Sequence, residues 1–134
     1  MFKAREPMDD KAYDDALTLD IYMEEDGEQT VTSVRGMVVD GKPVVSRIGV
    51  FTNLYAALEG NSLVLRYKDR PGIIASIGQA LSQAGINIDN IVAPCDHESG
   101  DALAYLKTNM PVSEQQVQNI ARAINAKQAF ALTM

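Results

Sequence analysis

The sequence predicts an α+β fold, in which an antiparallel β meander precedes a strand–helix–strand–strand–helix–strand unit. Residues 17–25 alternate apolar and polar side chains, which is typical of a half-buried strand. Two later segments, 73–84 and 112–124, repeat apolar residues at helical spacing. We therefore expect two regions, residues 1–60 and residues 61–134, the second with four antiparallel strands and both helices on one face of the sheet.

Composition and charge narrow the class of protein. The chain has 134 residues, of which 46% are hydrophobic and 22% charged, as in ordinary globular domains. Its net charge of −6 argues against a nucleic-acid partner, because phosphates need a basic surface. No apolar run approaches the roughly 18 residues of a membrane span, and the N-terminal residues do not form a secretory signal. A single cysteine allows no internal disulfide, so we expect a cytoplasmic location.

The first region is predicted as a meander of strands joined by tight turns. Asp26-Gly27 and Asp40-Gly41 are strong hairpin signals, because both residue types tolerate positive φ. The polar, acidic residues 1–16 are predicted to be a solvated charge run, as a short helix after Pro7 or a loose arm. The predicted strands are 17–25, 29–39, 44–50 and 51–58.

The second region begins with a strand, a turn of sequence YKDRPG and a helix. Pro71 suits the first helical position because it has no N–H group and its φ is already near the helical value. Gly85 is placed to end this helix in the left-handed conformation, and a second strand begins at Ile86. The predicted buried stripe is Ile73, Ile77, Ala80, Leu81 and Ala84.

The rest of the second region contains a loop at 93–100, a strand at 101–108, the second helix and a last strand at 128–133. Ser113 and Gln116 have the spacing of a capping box, and Val112 and Val117 have that of a hydrophobic staple. The predicted buried stripe of this helix is Val117, Ile120, Ala121 and Ile124.

The start of the first helix carries the clearest chemical signal. Position 70 holds no Ser, Thr, Asp or Asn, so the N–H groups of residues 72–74 are predicted to lack a side-chain cap. Free N–H groups at a helix N-terminus bind anions such as carboxylates. Asp69 offers a charge for an ammonium group, and Asn87 can donate and accept hydrogen bonds. Together these groups suit an amino acid, and the alternative is a plain turn with a water-capped helix end.

The segment with the DRPG turn, the helix and the following GINI resembles the start of an ACT domain, a ferredoxin-like βαββαβ regulatory module of amino-acid metabolism. The specific likeness is to the C-terminal regulatory region of D-3-phosphoglycerate dehydrogenase, over residues 61–134. A weaker likeness reaches back to about Leu17, to the second half of that enzyme's intervening, or allosteric substrate-binding, domain.

This resemblance implies a regulatory module that senses L-serine for feedback control of serine biosynthesis, in a homodimer or higher homo-oligomer. It also implies a parent oxidoreductase that binds NAD outside this chain. In the family the effector lies between two ACT domains, where it contacts the turn before the helix and an Asn of the partner chain. Carried over to this sequence, the effector site is Tyr67, Asp69, Arg70, Pro71, Gly72, Ile73, Ile74 and Asn87.

The intervening domain of some related enzymes carries an anion site, which Lys42, Arg47 and Lys107 are candidates to form. The alternative is that these three are scattered surface bases. Dimerisation is expected through the edge strand that begins near Ile86, because an edge strand has unpaired backbone groups.

We expect no catalysis, no metal and no cofactor within these residues. Cys95, Asp96 and His97 lie in one loop, but a zinc site needs about four ligands and the chain has no second Cys or His. A Cys–His nucleophile pair would need an orienting partner and an oxyanion hole. No dinucleotide or P-loop motif occurs. Two other functions stay open: the regulatory β-domain of an iron–sulfur L-serine dehydratase, and a dimerisation module that binds no ligand.

Overall fold

The computed structural model describes residues 2–5, 17–25 and 28–134. It divides into two compact units, Met1–Leu58 and Glu59–Met134. Each unit has its own antiparallel sheet, and the two sheets are described separately below.

The described residues of the first unit form a five-stranded antiparallel sheet whose strands lie in chain order. The predicted strand at 17–25 and its return strand are confirmed, and they pair up to Glu25 and Glu28. The turn residues 26–27 between them lie outside the described residues. Asp40 and Gly41 both have positive φ, 51° and 76°, as the predicted second turn requires. The strands are β1 (Phe2–Arg5), β2 (Leu17–Glu25), β3 (Glu28–Val39), β4 (Lys42–Ile48) and β5 (Ala56–Ala57).

Two predictions for this unit are corrected. Residues 2–5 form β1, paired with β2, where the sequence predicted a solvated charge run. The short helix predicted after Pro7 falls on residues 6–16, which lie outside the described residues. The predicted strand at 51–58 is wrong except at Ala56–Ala57. Asn53 and Tyr55 have φ of 58° and 46°, which interrupts an extended backbone.

The second unit confirms the predicted order of strands and helices. Its main sheet has the order β10-β6-β9-β7, all antiparallel, and a short β8 pairs with β9 beside β7. β8 lies in the segment that was predicted as a loop at 93–100. The elements are β6 (Asn61–Lys68), α1 (Ile73–Gln83), β7 (Ile88–Val92), β8 (Cys95–Asp96), β9 (Asp101–Thr108), α2 (Glu114–Ile124) and β10 (Gln128–Thr133).

Both helices cover one face of this sheet. Every second residue of β6 and β9 faces them, because side chains alternate between the two faces of a strand. The buried residues of this core are Leu63, Leu65, Tyr67, Ile73, Ile77, Leu81, Ile86, Ala102, Ala104, Leu106, Val112, Val117, Ile120 and Ile124. The predicted stripes are confirmed except at their alanines, since Ala80 and Ala121 are half-buried and Ala84 is exposed.

The first helical turn of α1 differs from the prediction. Pro71 is not the first helical residue; the helix begins at Ile73, and Gly72 is its N-cap with φ 89° and ψ −5°. These angles, together with the preceding proline, are those of a type II turn, in which the third residue needs positive φ. The turn lets α1 begin soon after β6, because the Asp69 N–H donates to the Gly100 carbonyl at 2.9 Å and keeps the chain paired beside β9 up to that residue.

The predicted end of α1 and the predicted start of α2 are confirmed. Gly85 follows α1 with φ 73°, the left-handed conformation that closes a helix. At α2, the Gln116 N–H donates to the Ser113 hydroxyl at 3.2 Å, and the Ser113 N–H donates to the Gln116 side-chain oxygen at 2.9 Å. Val112 and Val117 are both buried in the core, as the hydrophobic staple predicts.

Candidate functional site

The turn between β6 and α1 brings seven of the eight predicted effector residues together. Tyr67, at the end of β6, is only 2% exposed because its ring packs in the core. Ile73 is also buried, as the first residue of α1. The exposed members are Asp69, Arg70, Pro71, Gly72 and Ile74.

The N-terminus of α1 is open to an anion. No side chain from the described residues caps it, and its first turn contains no acidic residue. The Ser76 N–H makes the first helical bond, to the Gly72 carbonyl at 3.0 Å. The N–H groups of residues 73–75 therefore have no helical partner and lie at the positive end of the helix dipole. This end can receive a carboxylate group.

Asp69 stands next to this helix end, and its carboxylate contacts the side chain of Cys95. The Cys95 thiol donates to the Asp69 Oδ2 atom at 3.2 Å. This hydrogen bond is the largest cause that raises the pKa of the Cys95 thiol, so the sulfur stays protonated near neutral pH. Burial, followed by the charges of Asp69 and Cys95, raises the pKa of Tyr67. Sequence reasoning did not include Cys95 in this group, because the contact joins residues 26 positions apart.

Arg70 supports the turn in this structure. Its guanidinium donates to the Ile124 carbonyl at 2.6 Å, at the C-terminus of α2, and to the Lys68 carbonyl at 3.1 Å. A cation suits that position because the C-terminus of a helix carries partial negative charge. The contact ties the turn to the last carbonyls of α2.

Asn87 lies at the other end of the sheet. Its N–H donates to the Asn109 side chain at 2.8 Å, beside the Thr108 end of β9, and its amide donates to Asp89 at 3.1 Å. The turn with Asp69 adjoins the opposite end of β9, at Asp101. At about 3.3 Å per residue the length of β9 separates them by roughly 25 Å. One chain alone therefore does not bring Asp69 and Asn87 together.

A buried carboxylate lies beneath the candidate site. The Asp101 side chain is 3% exposed and accepts from Lys127 at 2.6 Å and from Arg66 at 3.0 Å. The hydrogen bond from Lys127, and then that from Arg66, lowers the pKa of Asp101 against the opposing effect of burial. Gly100, the residue before Asp101, accepts the Asp69 N–H, so the ion cluster and the turn adjoin the same end of β9.

The three bases of the predicted anion site belong to different units. Lys42 and Arg47 lie on β4 of the first unit, where Arg47 donates to the Ser33 hydroxyl at 3.3 Å. Lys107 belongs to the second unit and donates to the Glu59 carbonyl and to the Ser62 hydroxyl. Burial lowers the pKa of Lys107. The anion site stays a prediction.

The part of the chain that the structure describes contains neither a cluster of potential metal ligands nor a candidate transmembrane helix. No cluster of three or more His, Cys, Asp or Glu side chains occurs in residues 2–5, 17–25 and 28–134. Among the same residues, no helix is long and apolar enough to cross a bilayer.

Comparison with known proteins finds one domain model and several proteins that share one name. The ACT domain model matches residues 61–126. The chain is 24% identical over 102 residues to the D-3-phosphoglycerate dehydrogenase of Methanocaldococcus jannaschii, covering 76% of this chain and 19% of that protein. It is 34% identical over 68 residues to the protein of that name in Mycobacterium tuberculosis, covering 51% and 13%. It is 28% identical over 117 residues to the protein of that name in Mycobacterium leprae, covering 77% of this chain and 22% of that protein.

These matches concern a small part of each relative. The chain spans between 13% and 22% of the length of these three proteins. Two of the three matches extend over about three-quarters of this chain, and therefore beyond the residues that match the ACT domain model.

Proposed function

Residues 61–126 of this chain belong to the ACT-domain family, and from that premise we propose that the chain is an amino-acid-binding regulatory module whose effector is L-serine. The observation that carries this proposal is the open N-terminus of α1 beside Asp69. An amino acid needs one group for its carboxylate and one for its ammonium, and this turn offers both.

The ligand contacts follow from charge. The N–H groups at the start of α1 bind the serine carboxylate, because they have no helical partner and lie at the positive end of the helix dipole. The Asp69 carboxylate receives the ammonium group in a charge-assisted hydrogen bond. Asn87 from a second chain completes the site, since the Asn87 of the same chain lies roughly 25 Å away along β9.

The second chain adds through β7. This strand is an edge of the main sheet, paired with β9 on one side only, so its other backbone groups can pair with another strand. Ile91, the fourth of its five residues, is 36% exposed. An antiparallel pairing of two β7 strands centred on Ile91 sets Asn87 of one chain level with Cys95 of the other. Cys95 contacts Asp69, so this pairing brings the two ends of the effector site together.

We further propose that the parent activity is that of a cytoplasmic, NAD-dependent D-3-phosphoglycerate dehydrogenase. The relatives support this because all three carry that name. Serine bound at the ACT dimer then controls the enzyme that begins its own synthesis. The first unit corresponds to part of the intervening domain of that enzyme. Two of the matches support this because they are long enough to extend beyond the second unit into the first.

A thermal-shift screen of this chain against the twenty amino acids tests the proposal. L-Serine should raise the melting temperature because it binds only the folded dimer. At a hundred times the dissociation constant it should add about 2.7 kcal/mol per site to the free energy of unfolding. Light scattering on the same sample should give the mass of a dimer or a larger oligomer. A monomer mass with and without serine, and no shift with any amino acid, would show a module that binds no effector.

A further inference from the structure

We propose that Cys95 is a positioning residue of the effector site, whose thiol holds the Asp69 carboxylate in the orientation that receives the ligand ammonium. This inference rests on the proposed function and adds to it a side chain that the sequence did not assign to the site. Because Cys95 is the only cysteine of the chain, a thiol reagent that labels the chain reports on this site alone.

The contact itself is direct. The Cys95 sulfur lies 3.2 Å from Oδ2 of Asp69, within hydrogen-bond distance for sulfur. The Asp69 backbone is fixed separately, by its N–H bond to the Gly100 carbonyl at 2.9 Å. A thiol that holds Oδ2 leaves Oδ1 as the oxygen available to a ligand. Without this contact the exposed carboxylate would rotate among several rotamers, and binding would bear the cost of ordering it.

Cys95 is itself held in a hydrogen-bonded hairpin. It pairs with Ala102 in β9, and the turn after it is closed by the Gly100 N–H, which donates to the Asp96 carbonyl at 2.8 Å. The Asp96 carboxylate accepts from the Ser99 hydroxyl at 2.6 Å. Lys68 on β6 then donates to the Ser99 carbonyl at 2.9 Å. A sulfur fixed in this way can orient a neighbouring side chain.

The protonation state of Cys95 supports this role. The hydrogen bond to Asp69 raises the pKa of the thiol, so at neutral pH the sulfur carries the hydrogen that the carboxylate accepts. A thiolate at this place would repel Asp69. The same protonation makes Cys95 a slow nucleophile, which suits a positioning residue better than a reactive one.

Two substitutions test the contact. Cys95→Ser keeps a donor and should bind L-serine within about twofold of the unchanged chain, because a hydroxyl also donates to a carboxylate. Cys95→Ala removes the donor and should weaken L-serine binding by about three- to tenfold, the value of one modest hydrogen bond. Calorimetry gives both affinities, and the unliganded melting temperatures of the two variants check that the fold is equal.

Thiol chemistry gives a readout that a purely structural role would not produce. The rate at which a disulfide reagent such as DTNB labels Cys95 should fall by at least about tenfold at a hundred times the dissociation constant of L-serine, where almost all sites are filled. The Asn87→Ala variant is the control, since it keeps Cys95 and Asp69 but lacks the partner's contact. At the same serine concentration, an affinity that is tenfold to a hundredfold weaker leaves roughly half to nine-tenths of its sites filled, so its labelling should slow by only about two- to tenfold, against up to about a hundredfold in the unchanged chain.

The outcomes are distinct. If wild-type chain binds L-serine by calorimetry, but serine leaves the labelling rate unchanged and Cys95→Ala binds like Cys95→Ser, the role of Cys95 is overturned while the proposed function stands. If wild-type chain binds no L-serine, both fail. If serine binds, slows labelling and binds more weakly to Cys95→Ala than to Cys95→Ser, Cys95 has the role assigned to it.

Discussion

The two helices of the second unit have the same length, but the N-terminus of α2 is capped by side chains and that of α1 is not. Both contain 11 residues and bury their apolar stripes against the same sheet. The start of α2 is closed by Ser113 and Gln116, which cap each other, and its first turn carries Glu114. The start of α1 follows Gly72, with no side-chain cap from the described residues and no acidic residue.

This difference separates stability from binding within one fold. A capped N-terminus has its N–H groups satisfied, so it stabilises the helix and has little left to offer a ligand. An open N-terminus gives up that stabilisation and keeps its N–H groups available to an anion. We therefore expect changes at polar groups that already have partners within the chain, such as the α2 cap, to alter stability alone. Changes near the start of α1 should alter serine binding.

The largest expected effect on stability comes from the buried ion cluster that Asp101 forms with Arg66 and Lys127. Asp101→Asn should lower the free energy of unfolding by roughly 1–3 kcal/mol, because Arg66 and Lys127 lose their charged acceptor. Chemical denaturation measures the loss. Serine affinity should change little when it is measured well below the melting temperature, and a loss of affinity as large as that of Asp69→Ala would contradict the separation.

The pH dependence of stability gives the sign of the same interaction. The pKa of Asp101 is lowered in the folded chain, so its contribution is present above the unfolded value of about 4 and is lost as the pH falls through the lower folded value. The unfolding free energy should therefore decline below about pH 4. Asp101→Asn should make that decline shallower, and an unchanged pH profile would show that other carboxylates dominate it.

Removal of the α2 cap is expected to have the next largest effect. Ser113→Ala should cost about 0.5–2 kcal/mol of stability, the usual loss for a helix cap. Ser113→Asp is the matched control, because aspartate also caps and should preserve stability. Thermal unfolding measures both variants, and their serine affinities should equal that of the unchanged chain.

A charge added at the start of α1 should have the smallest effect on stability and a clear effect on binding. Ile74 is 43% exposed in the first turn. Ile74→Glu should stabilise the helix by about 0.3–1 kcal/mol through the helix dipole, yet weaken serine binding because two carboxylates then compete for the same N–H groups.

The control for this variant separates charge from shape. Ile74→Gln has a similar shape without the charge, so it should bind serine better than Ile74→Glu. Gln115→Glu places the same charge in the first turn of α2 and should leave the affinity unchanged. Equal serine affinities for Ile74→Glu and Ile74→Gln in calorimetry would show that the ligand carboxylate does not bind at α1.

The sequence was sufficient where the signal is local. The capping box spans four residues, the apolar stripe of each helix repeats at helical spacing, and the glycine after α1 acts at one position. These features predicted the fold of the second unit and the exposed turn before α1.

The sequence failed where contacts come from distant residues. Gly72 is the N-cap because Asp69 is bound to Gly100, which proline preference alone does not reveal. The strand predicted at 51–58 is interrupted by left-handed Asn53 and Tyr55, residues that also occur in strands. The thiol on Asp69 and the cations on Asp101 depend on strand register, so no short motif indicates them.

A mixed dimer tests the shared effector site most directly. Asp69→Ala removes the ammonium acceptor and should weaken L-serine binding by roughly tenfold to a hundredfold, as expected for a charged hydrogen bond. Asn87→Ala should do the same from the partner chain and leave the fold intact, because Asn87 is exposed. In a dimer of one Asp69→Ala chain and one Asn87→Ala chain, one site carries both changes and the other carries neither.

Calorimetry on that purified mixed dimer should therefore find half the wild-type number of L-serine sites, at near wild-type affinity. Serine binding that is unchanged in both single variants would place the site elsewhere. If each single variant loses binding but the mixed dimer recovers no high-affinity site, Asp69 and Asn87 do not act from opposite chains, and the account of a shared site is contradicted.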